Sequence, residues 1–233
     1  MGDHLPPGTS HADPRMLRAD LHIHTEHSFD CSTTPKAIIR RCQKIGIDCV
    51  AVADHGTIEG ALRLRETAPF KVIVAEEILT PLGEVMGMFL SETIPSNISV
   101  AEAFARIKAQ NGLVCLPHPF DSMRGIHSRG FREIAALLPQ VDVIEVFNSR
   151  SLRFGRPNPK ALAFATEHHL LMSAGSDAHT LWEIGHAYVD MPDFHDVDSF
   201  RRSLTDGHIY GRHTCPLVHT ASMLRTLKKK ILR

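Results

Sequence analysis

Histidine and carboxylate side chains cluster near the start of the sequence, in a segment that otherwise has the pattern of a buried β-strand. Residues 19–30 read ADLHIHTEHSFD, with three histidines and three acidic residues in twelve positions. In a strand, residues i and i+2 point to the same side, so His22 and His24 would aim at one point. Leu21 and Ile23 would then share the opposite, buried side. Because neutral imidazole is the commonest metal ligand in proteins, the spacing predicts one edge of a metal site.

Ligand-type residues also close most of the later apolar segments. They are Asp54 and His55, Glu76 and Glu77, His118, Asn148, and Asp177 and His179. The set contains only nitrogen and oxygen donors, which suits Zn, Mn or Fe(II). Asp20 is expected to hydrogen-bond a ligand imidazole from behind. Metal ions bound side by side suit phosphoryl chemistry, because they hold phosphate oxygens, lower the pKa of a bridging water and stabilise the charge of an in-line attack.

The elements that must position these residues follow from the hydrophobic pattern. Buried strands are predicted at seven short apolar runs, namely residues 19–24, 48–54, 71–79, 84–90, 113–118, 141–147 and 170–177. The alternation of such strands with helical segments is typical of crossover connections and a mainly parallel sheet. Strands that are apolar on both faces, repeated this often in about 200 residues, favour a closed barrel of the α/β class. The carboxyl ends of barrel strands form one face, so we expect the ligand-type residues to converge there.

Three of the intervening segments carry clear helix boundaries. Thr34 is a suitable N-cap for a helix that ends at Gly46. Ser99 begins a second helix and forms the first half of a capping box with Glu102. A third helix is predicted at residues 158–169, with Asn158 as its N-cap and a proline at its first position.

The composition describes an ordinary globular chain without a dominant charge. Its 233 residues contain 26 basic and 26 acidic side chains, so no overall field attracts nucleic acid or a membrane surface. The five cysteines form no C-x-x-C pair, which predicts a reduced, cytoplasmic protein. No run reaches the roughly 18 apolar residues of a membrane helix. Residues 1–17 are interpreted as a flexible leader, and residues 18–233 as one domain that ends in a short basic tail.

Five motifs in a fixed order resemble the motif series of the PHP (polymerase and histidinol phosphatase) family. They are DLHIHT, VAVADH, IVAEEI, CLPHP and AGSDAH, and the resemblance extends from about residue 20 to residue 190. It implies a distorted (β/α)7 barrel that holds two to three divalent metal ions (Zn, Mn or Fe), and usually the hydrolysis of a phosphoester. The ligands that it implies are His22, His24, Asp30, His55, Glu77, His118, Asn148, Asp177 and His179.

The resemblance also distributes these ligands among the ions. The first ion takes His22, His24, Glu77 and Asp177; the second takes His55, Asp30 and the bridging Glu77; the third takes His118, His179 and Asn148. His27 is a rival of Asp30, because the spacing from His24 to Asp30 is longer than is common in the family. Glu76 would point away from the site if its strand is regular.

The predicted function is that of a metal-dependent phosphoesterase. It would hydrolyse a small phosphorylated metabolite or a nucleotide by attack of a metal-activated hydroxide on phosphorus, with Asp177, His55 and Glu77 as catalytic residues. Arg124 and Arg150 are predicted to bind the substrate phosphate, because a guanidinium group fits a phosphate through two parallel hydrogen bonds. Arg153 is a further candidate for this role. Trp182, which follows the last motif, is expected to pack at the rim of the site, and nothing in the sequence supports stacking on a base.

Three alternatives remain open from the sequence. One is an exonuclease on short oligonucleotides, and another is a non-catalytic or proofreading PHP module within a larger assembly. The third is an amidohydrolase-like barrel that acts on C–N bonds. Such barrels also begin with H-x-H, but they typically need a metal-bridging lysine, and no predicted strand ends in lysine. The sequence leaves the oligomeric state open.

Overall fold

The computed structural model describes residues 15–122, 124–126, 135–151, 156–215 and 218. The described strands are β1 (Met16–Ile23), β2 (Cys49–His55), β3 (Lys71–Thr80), β4 (Gly83–Met88), β5 (Leu113–Leu116), β6 (Val143–Asn148), β7 (Leu171–Gly175), β8 (Ala187–Pro192) and β9 (His208–Gly211). The described helices are α1 (Pro35–Ile45), α2 (Glu59–Thr67), α3 (Val100–Ala109), α4 (Pro157–Glu167) and α5 (Val197–Thr205), with a 3₁₀ helix at Ala135–Gln140. The leader up to residue 14 and the basic tail from residue 219 lie outside the described residues. β1 already begins at Met16, inside the predicted leader.

All nine described strands belong to one sheet with the order β7-β6-β5-β4-β3-β2-β1-β8-β9. The seven predicted strands are β1 to β7. Neighbours in β1-β2-β3 and in β5-β6-β7 run parallel, whereas β4 is antiparallel to both β3 and β5. β8 and β9, which the sequence analysis did not predict, extend the sheet beyond β1 as antiparallel strands.

The sheet curls until the carboxyl ends of β7 and β1 meet. Ile23 forms an isolated parallel bridge with Ala178. The backbone N–H of Asp177 donates to the carbonyl of His22 at 2.7 Å, and that of His24 donates to the carbonyl of Ala178 at 3.0 Å. The predicted α/β barrel is therefore confirmed, in the form of a mixed and nearly closed barrel. The meeting of β1 and β7 also brings the first and the last sequence motifs side by side.

Two of the three predicted helix starts agree with the structure. The Thr34 hydroxyl accepts a hydrogen bond from the backbone N–H of Ala37, and α1 ends at Gly46 in a left-handed conformation with φ 71°. Ser99 caps α3 through the backbone N–H of Glu102. The predicted Asn158 cap is wrong, because the N-cap of α4 is Arg156 and the helix begins at Pro157, two residues before the predicted start.

Asn158 has a different role, which the sequence did not suggest. Its Oδ1 accepts a hydrogen bond from the backbone N–H of Asn148 at 3.2 Å, and its Nδ2 donates to the carbonyl of Asn148 at 3.1 Å. Asn158 therefore ties the start of α4 to the carboxyl end of β6. That end of β6 is where a ligand-type residue was predicted.

The apolar core lies in two layers on either side of the sheet. One layer packs the outer face against the helices and includes Ile23, Val52 and Phe104. The other fills the barrel interior and includes Leu21 and Met86. The expectation that Leu21 and Ile23 share a side is therefore wrong. The register of β1 is irregular between Asp20 and Ile23, and a bulge of this kind breaks the alternation of side chains.

Among the described residues, no helix has both the length and the apolar composition needed to cross a membrane.

Candidate metal centre

The carboxyl end of the barrel gathers eight of the nine predicted metal ligands. They fall into four overlapping groups, within each of which the donor atoms all lie within 4.8 Å of one another. The groups are His24, Asp30, His55 and His179; His22, His118 and Asp177; His22, His24 and Glu77; and His55, Glu77 and Glu84. Residues from β1, β2, β3 and the segments after β5 and β7 therefore meet at one face, as the barrel topology requires. Their roles as ligands remain predictions.

Glu77 lies at the centre of this cluster. Its Oε1 is 2.8 Å from His118 Nε2, and its Oε2 is 3.5 Å from the Nε2 atoms of both His22 and His24. His55 Nδ1 is 3.6 Å from the same Oε2. Burial opposes the charge of Glu77, but the surrounding imidazoles, His22 and His55 first, lower its pKa well below the usual value. The carboxylate is placed where two neighbouring cations can share it.

Glu76, its neighbour on β3, faces the other way. Its Oε2 accepts a hydrogen bond from the backbone N–H of Ile94 at 2.8 Å, and Ile94 belongs to the outer apolar layer. Burial raises the pKa of Glu76 to about 7. The two adjacent acids therefore separate into one that faces the cluster and one that faces the core, as the alternation of side chains along a strand predicts.

Asp30 belongs to the group that contains His55 of β2, together with His24 and His179. Its Oδ2 is 2.7 Å from His179 Nε2 and 3.7 Å from His55 Nε2. Burial raises the pKa of Asp30, but the hydrogen bonds with His179 and His55 outweigh it and leave the pKa below its usual value. The structure thus brings Asp30 into the cluster, whereas none of the groups among the described residues contains His27.

The grouping of the histidines differs from the predicted one in one respect. His179 lies with Asp30, and its ring centre is 4.2 Å from that of His24. His118 lies instead beside Glu77 and groups with His22. His118 and His179, which were assigned to one ion, therefore lie in different groups.

Glu84 belongs to the cluster but was not predicted. Its Oε2 is 3.3 Å from His118 Nε2, and burial, together with the charge of Glu77, raises its pKa to about 7. Ligands were predicted only at or beyond the carboxyl ends of strands, so Glu84 was not considered. Because β4 is antiparallel to its neighbours, its amino end lies at the active face, and a residue at the start of a strand reaches the site.

Glu145 is a second residue that the sequence analysis missed. Its Oε1 lies 3.1 Å from His22 Nδ1, and its Oε2 accepts hydrogen bonds from the backbone N–H of His118 at 2.8 Å and from Asn148 Nδ2 at 2.9 Å. A carboxylate at Nδ1 keeps the proton there, so that Nε2 of His22 can face the cluster. A single acid within the apolar run VIEVF was the available signal.

Asp20 does not have the role predicted for it. Its carboxylate accepts hydrogen bonds from the hydroxyl and backbone N–H of Ser176 at 2.6 and 2.9 Å, and from the backbone N–H of Gly185 at 2.8 Å. Asp20 therefore fastens the chain after β7 to β1. The carboxylate behind His22 is that of Glu145.

The side chain of Asn148 lies beside the cluster with its oxygen turned to the backbone. Oδ1 accepts the N–H groups of Arg150 and Ser151 at 2.9 and 3.1 Å, and Nδ2 also donates to Asp177 Oδ2 at 3.3 Å. In this arrangement Asn148 shapes the turn after β6 and orients two acids, whereas the sequence analysis predicted it as a metal ligand.

Of the predicted phosphate-binding arginines, Arg124 reaches the cluster. Its Nη1 pairs with Asp177 Oδ2, and its Nη2 is 3.4 Å from Asp121 Oδ2. Burial opposes the charge of Asp177, but Arg124 and the neighbouring imidazoles lower its pKa well below the usual value. A quarter of the Arg124 side chain is exposed, so the guanidinium group lies between the cluster and solvent.

Arg150 has a different environment. Its side chain is 3% exposed, and its Nη1 is 3.6 Å from Glu183 Oε1. Glu183 in turn accepts hydrogen bonds from the backbone N–H of His179 and the hydroxyl of Thr180. Arg150 thus lies behind His179, and this burial does not match the predicted contact with a substrate phosphate. Arg153 lies outside the described residues.

The donor atoms of the cluster fit divalent cations. His24 Nδ1, His55 Nδ1, Glu84 Oε2 and Asp177 Oδ1 are buried and have no hydrogen-bond partner among the described residues. The Nε2 atoms of His22 and His24 lie only 3.2 Å apart, and burial and the nearby imidazoles lower the pKa of His24 to about 3. Buried polar atoms without a partner are costly, and a cation in contact with these donors would remove that cost.

Comparison with known proteins gives matches over most of the chain. A family model described as the PHP domain matches residues 20–138, and a second, described as PHP-associated, matches residues 155–209. An uncharacterized protein of Methanocaldococcus jannaschii is 40% identical over 176 residues, which cover 74% of this chain and 70% of that protein. A second uncharacterized protein of the same organism is 35% identical over 147 residues, or 57% of this chain and 82% of that protein.

A solved structure shows the same fold at low sequence identity. It is a two-domain protein from Bacteroides vulgatus that contains a predicted PHP-like metal-dependent phosphoesterase. The TM-score is 0.71 at 20% identity, with 91% of this chain and 70% of that chain covered. The likeness extends over the whole barrel.

Proposed function

Because the chain belongs to the PHP domain family, we propose that it is a metal-dependent phosphoesterase that hydrolyses a small phosphorylated metabolite or a nucleotide. The observation that supports this function is the shared position of Glu77. One carboxylate lies within 3.6 Å of imidazole nitrogens from several strands, so adjacent cations can bind on either side of it. Adjacent cations are suited to phosphoryl transfer, in which both the attacking and the leaving oxygen carry charge.

The overlapping groups provide donors for two to three ions. His22 and His24 would complete one set with Glu77, and His55 and Glu84 another. Asp30 and His179, together with His24 and His55, would form a third set, and His118 and Asp177 add donors beside His22. Bound divalent ions would polarise the phosphoryl oxygens and lower the pKa of a water molecule to supply the nucleophile.

The remaining residues of the site position these groups and the substrate. Glu145 holds the His22 ring through Nδ1 and the start of the His118 segment through its backbone. Arg124, partly exposed next to Asp177, is placed to bind an oxygen of the substrate phosphate. A guanidinium group in that place adds charge-assisted hydrogen bonds to the transferred group.

The test is a hydrolysis screen on the full chain after removal of metal and reloading with Mn, Zn or Fe(II). Substrates are phosphomonoesters, phosphodiesters, nucleotides and short oligonucleotides. We expect hydrolysis that depends on the added metal and is lost in Asp177→Asn and His55→Gln. His195→Gln is the matched control, because His195 is exposed and lies outside the cluster. Full activity in Asp177→Asn, or no hydrolysis with any metal and substrate, would overturn the proposal.

Arg124→Met separates substrate binding from metal binding. We expect it to raise KM for a phosphomonoester while the metal content of the chain is retained. An unchanged KM would show that Arg124 does not bind the substrate phosphate.

A further inference from the structure

The outer face of α1 has a local positive charge although the chain as a whole is balanced. The helix sequence PKAIIRRCQKI contains four basic residues and no acidic one. Lys36, Arg40 and Lys44 are exposed or nearly so, and none of the three forms an ion pair with another residue in the part of the chain that the structure describes. Lys36 and Arg40 also border a second cavity whose lining includes Glu26, Glu59 and Glu66, so their charge acts on a partner only within the short distance set by salt screening.

Trp182 stands beside this helix. It is the only tryptophan of the chain, and it is 79% exposed. The guanidinium carbon of Arg41 lies 5.9 Å from its ring centre, and Arg41 Nη2 donates a hydrogen bond to the carbonyl of Ile184. The Arg41 guanidinium group therefore packs against the indole ring through a cation–π contact, while most of the ring surface is exposed to solvent and accessible to a ligand.

The helix and the indole enclose one cavity. Its volume is about 310 Å³, and its lining consists of Ala37, Arg40, Arg41, Lys44, Leu181 and Trp182. The lining contains three basic side chains, an aromatic ring and two apolar side chains, with no acid, and most of the surface that faces the cavity is apolar. We name this surface the Trp182 cleft. Its chemistry complements a ligand that has a flat ring and an anionic group on the same molecule.

The Trp182 cleft is close to the metal centre along the chain. Trp182 follows His179 by three residues, and an extended chain spans roughly 3.3–3.6 Å per residue, so their Cα atoms are at most about 11 Å apart. Glu183, the next residue, accepts the backbone N–H of His179. A second exposed ring, that of Phe29, stacks on His55 with the ring centres 4.8 Å apart. A ligand of several nucleotides bound in the cleft would therefore be long enough to reach the metal centre.

We propose that the Trp182 cleft binds single-stranded nucleic acid, with a base stacked on Trp182 and backbone phosphates held by Arg40 and Lys44. This inference rests on the metal-dependent phosphoesterase activity of the proposed function, but it extends the substrate from a free nucleotide to a short oligonucleotide whose end would reach the metal centre. Aromatic stacking accepts any base, and a basic groove follows the backbone, so binding is expected without strong sequence preference. An acidic peptide would satisfy the cations but would leave the indole uncovered.

The test uses Trp182 as its own probe. The metal-free full chain is titrated with a short oligothymidylate in the presence of a chelator, so that no hydrolysis occurs, and tryptophan fluorescence is recorded. We expect saturable quenching by the oligonucleotide and none by inorganic phosphate at the same phosphate concentration. Absence of quenching would overturn the proposal.

Variants separate stacking from charge, with binding followed by the anisotropy of a labelled oligonucleotide. Trp182→Ala should weaken binding by roughly 5- to 150-fold, the range for loss of one stacked base, and Trp182→Phe should lose less. Arg40→Ala/Lys44→Ala should reduce the slope of log affinity against log salt by about 1.4, or about 0.7 for each lost phosphate contact. Lys160→Ala/Arg202→Ala removes the same charge from α4 and α5 and should leave both quantities unchanged.

Equal affinity in Trp182→Ala and the unmodified chain would refute the cleft even if oligonucleotides bind elsewhere. Because the titration is made without metal, its outcome does not depend on hydrolysis. A chain that binds oligonucleotides through Trp182 but cleaves no phosphoester would keep this inference and refute the proposed function. A chain that hydrolyses phosphoesters but does not bind oligonucleotides through Trp182 would refute only the proposal that the Trp182 cleft binds nucleic acid.

Discussion

Glu145→Gln tests whether a residue with no predicted contact to metal controls the metal centre. The carboxylate accepts from three donors: His22 Nδ1, the backbone N–H of His118 and Asn148 Nδ2. A glutamine of the same shape has one acceptor oxygen and one amide group that only donates. If the oxygen keeps the two donors from His118 and Asn148, the amide faces His22 Nδ1. Nδ1 must then accept, and the proton of the neutral ring moves to Nε2.

A proton on Nε2 removes the lone pair that His22 directs toward His24 and Glu77. Loss of a partner behind a metal-binding histidine typically costs 10- to 100-fold in metal affinity, or about 1.4–2.8 kcal/mol. We expect a loss in this range in Glu145→Gln. Metal affinity is measured by competition with a chelator of known affinity, and the tautomer of His22 by nitrogen NMR of the imidazole.

The matched control is Glu76→Gln. It makes the same chemical change at a buried glutamate next to Glu77, but its side chain bonds the backbone of Ile94 away from the cluster. Metal affinity should stay within about twofold of that of the unmodified chain, a factor that corresponds to about 0.4 kcal/mol. Unchanged metal affinity and an unchanged His22 tautomer in Glu145→Gln would refute the positioning role of Glu145.

Three further predictions concern stability. In Gly175→Ala the added Cβ would lie 2.2 Å from His22 Cβ and 2.8 Å from Glu145 Oε1. We therefore expect the free energy of unfolding to fall by roughly 1–3 kcal/mol in urea denaturation, and metal binding to weaken in chelator competition. An unchanged free energy of unfolding and unchanged metal affinity would contradict this packing. Addition of a divalent metal at about 100 times its Kd should raise the free energy of unfolding by about 2.7 kcal/mol. A denaturation midpoint that is the same with and without metal would argue against a metal site in the folded state. Burial and the nearby Arg212 and Arg41 lower the pKa of His186 from 6.5 to about 4. As pH falls from 6.5 to about 4, His186 becomes protonated in the unfolded chain before it does so in the folded chain, and the folded state loses stability. His186→Gln should flatten this part of the profile of unfolding free energy against pH. Parallel profiles for the variant and the unmodified chain would show that His186 does not contribute.

Local patterns were sufficient for the barrel and for most of the cluster. Apolar runs of strand length and the caps at Thr34 and Ser99 depend on neighbouring residues, so they can be recognised without the fold. The convergence of His22, His55 and Asp177 followed from the rule that parallel strands present their carboxyl ends at one face.

What the sequence missed depends on contacts between distant elements. Glu84 lies at the amino end of a strand, and only the antiparallel direction of β4 brings it to the site. Asp20 was predicted to hydrogen-bond a ligand imidazole, but the carboxylate at His22 Nδ1 is that of Glu145, which lies 123 residues after His22. Leu21 lies in the barrel interior with Leu17 and Ala19, whereas Ile23, after the bulge in β1, lies in the outer layer, and no periodic pattern in the sequence marks a bulge.

The arginines illustrate the same limit at the level of single side chains. Arg124 and Arg150 had similar signals, since both follow a ligand-type residue on a loop. Arg124 pairs with Asp177 and remains partly exposed, whereas Arg150 is buried against Glu183. The difference arises from the acid that each side chain meets after folding.

The central claim, that the cluster around Glu77 binds catalytic divalent ions, is tested most directly by measuring metal content and hydrolysis on the same samples. Elemental analysis by mass spectrometry is made on the unmodified chain and on Glu77→Gln after equal loading and dialysis, together with the rate of phosphoester hydrolysis. We predict two to three ions in the unmodified chain, fewer in Glu77→Gln, and a parallel loss of rate. Equal metal content in the two chains, or full hydrolysis by Glu77→Gln, would contradict the account.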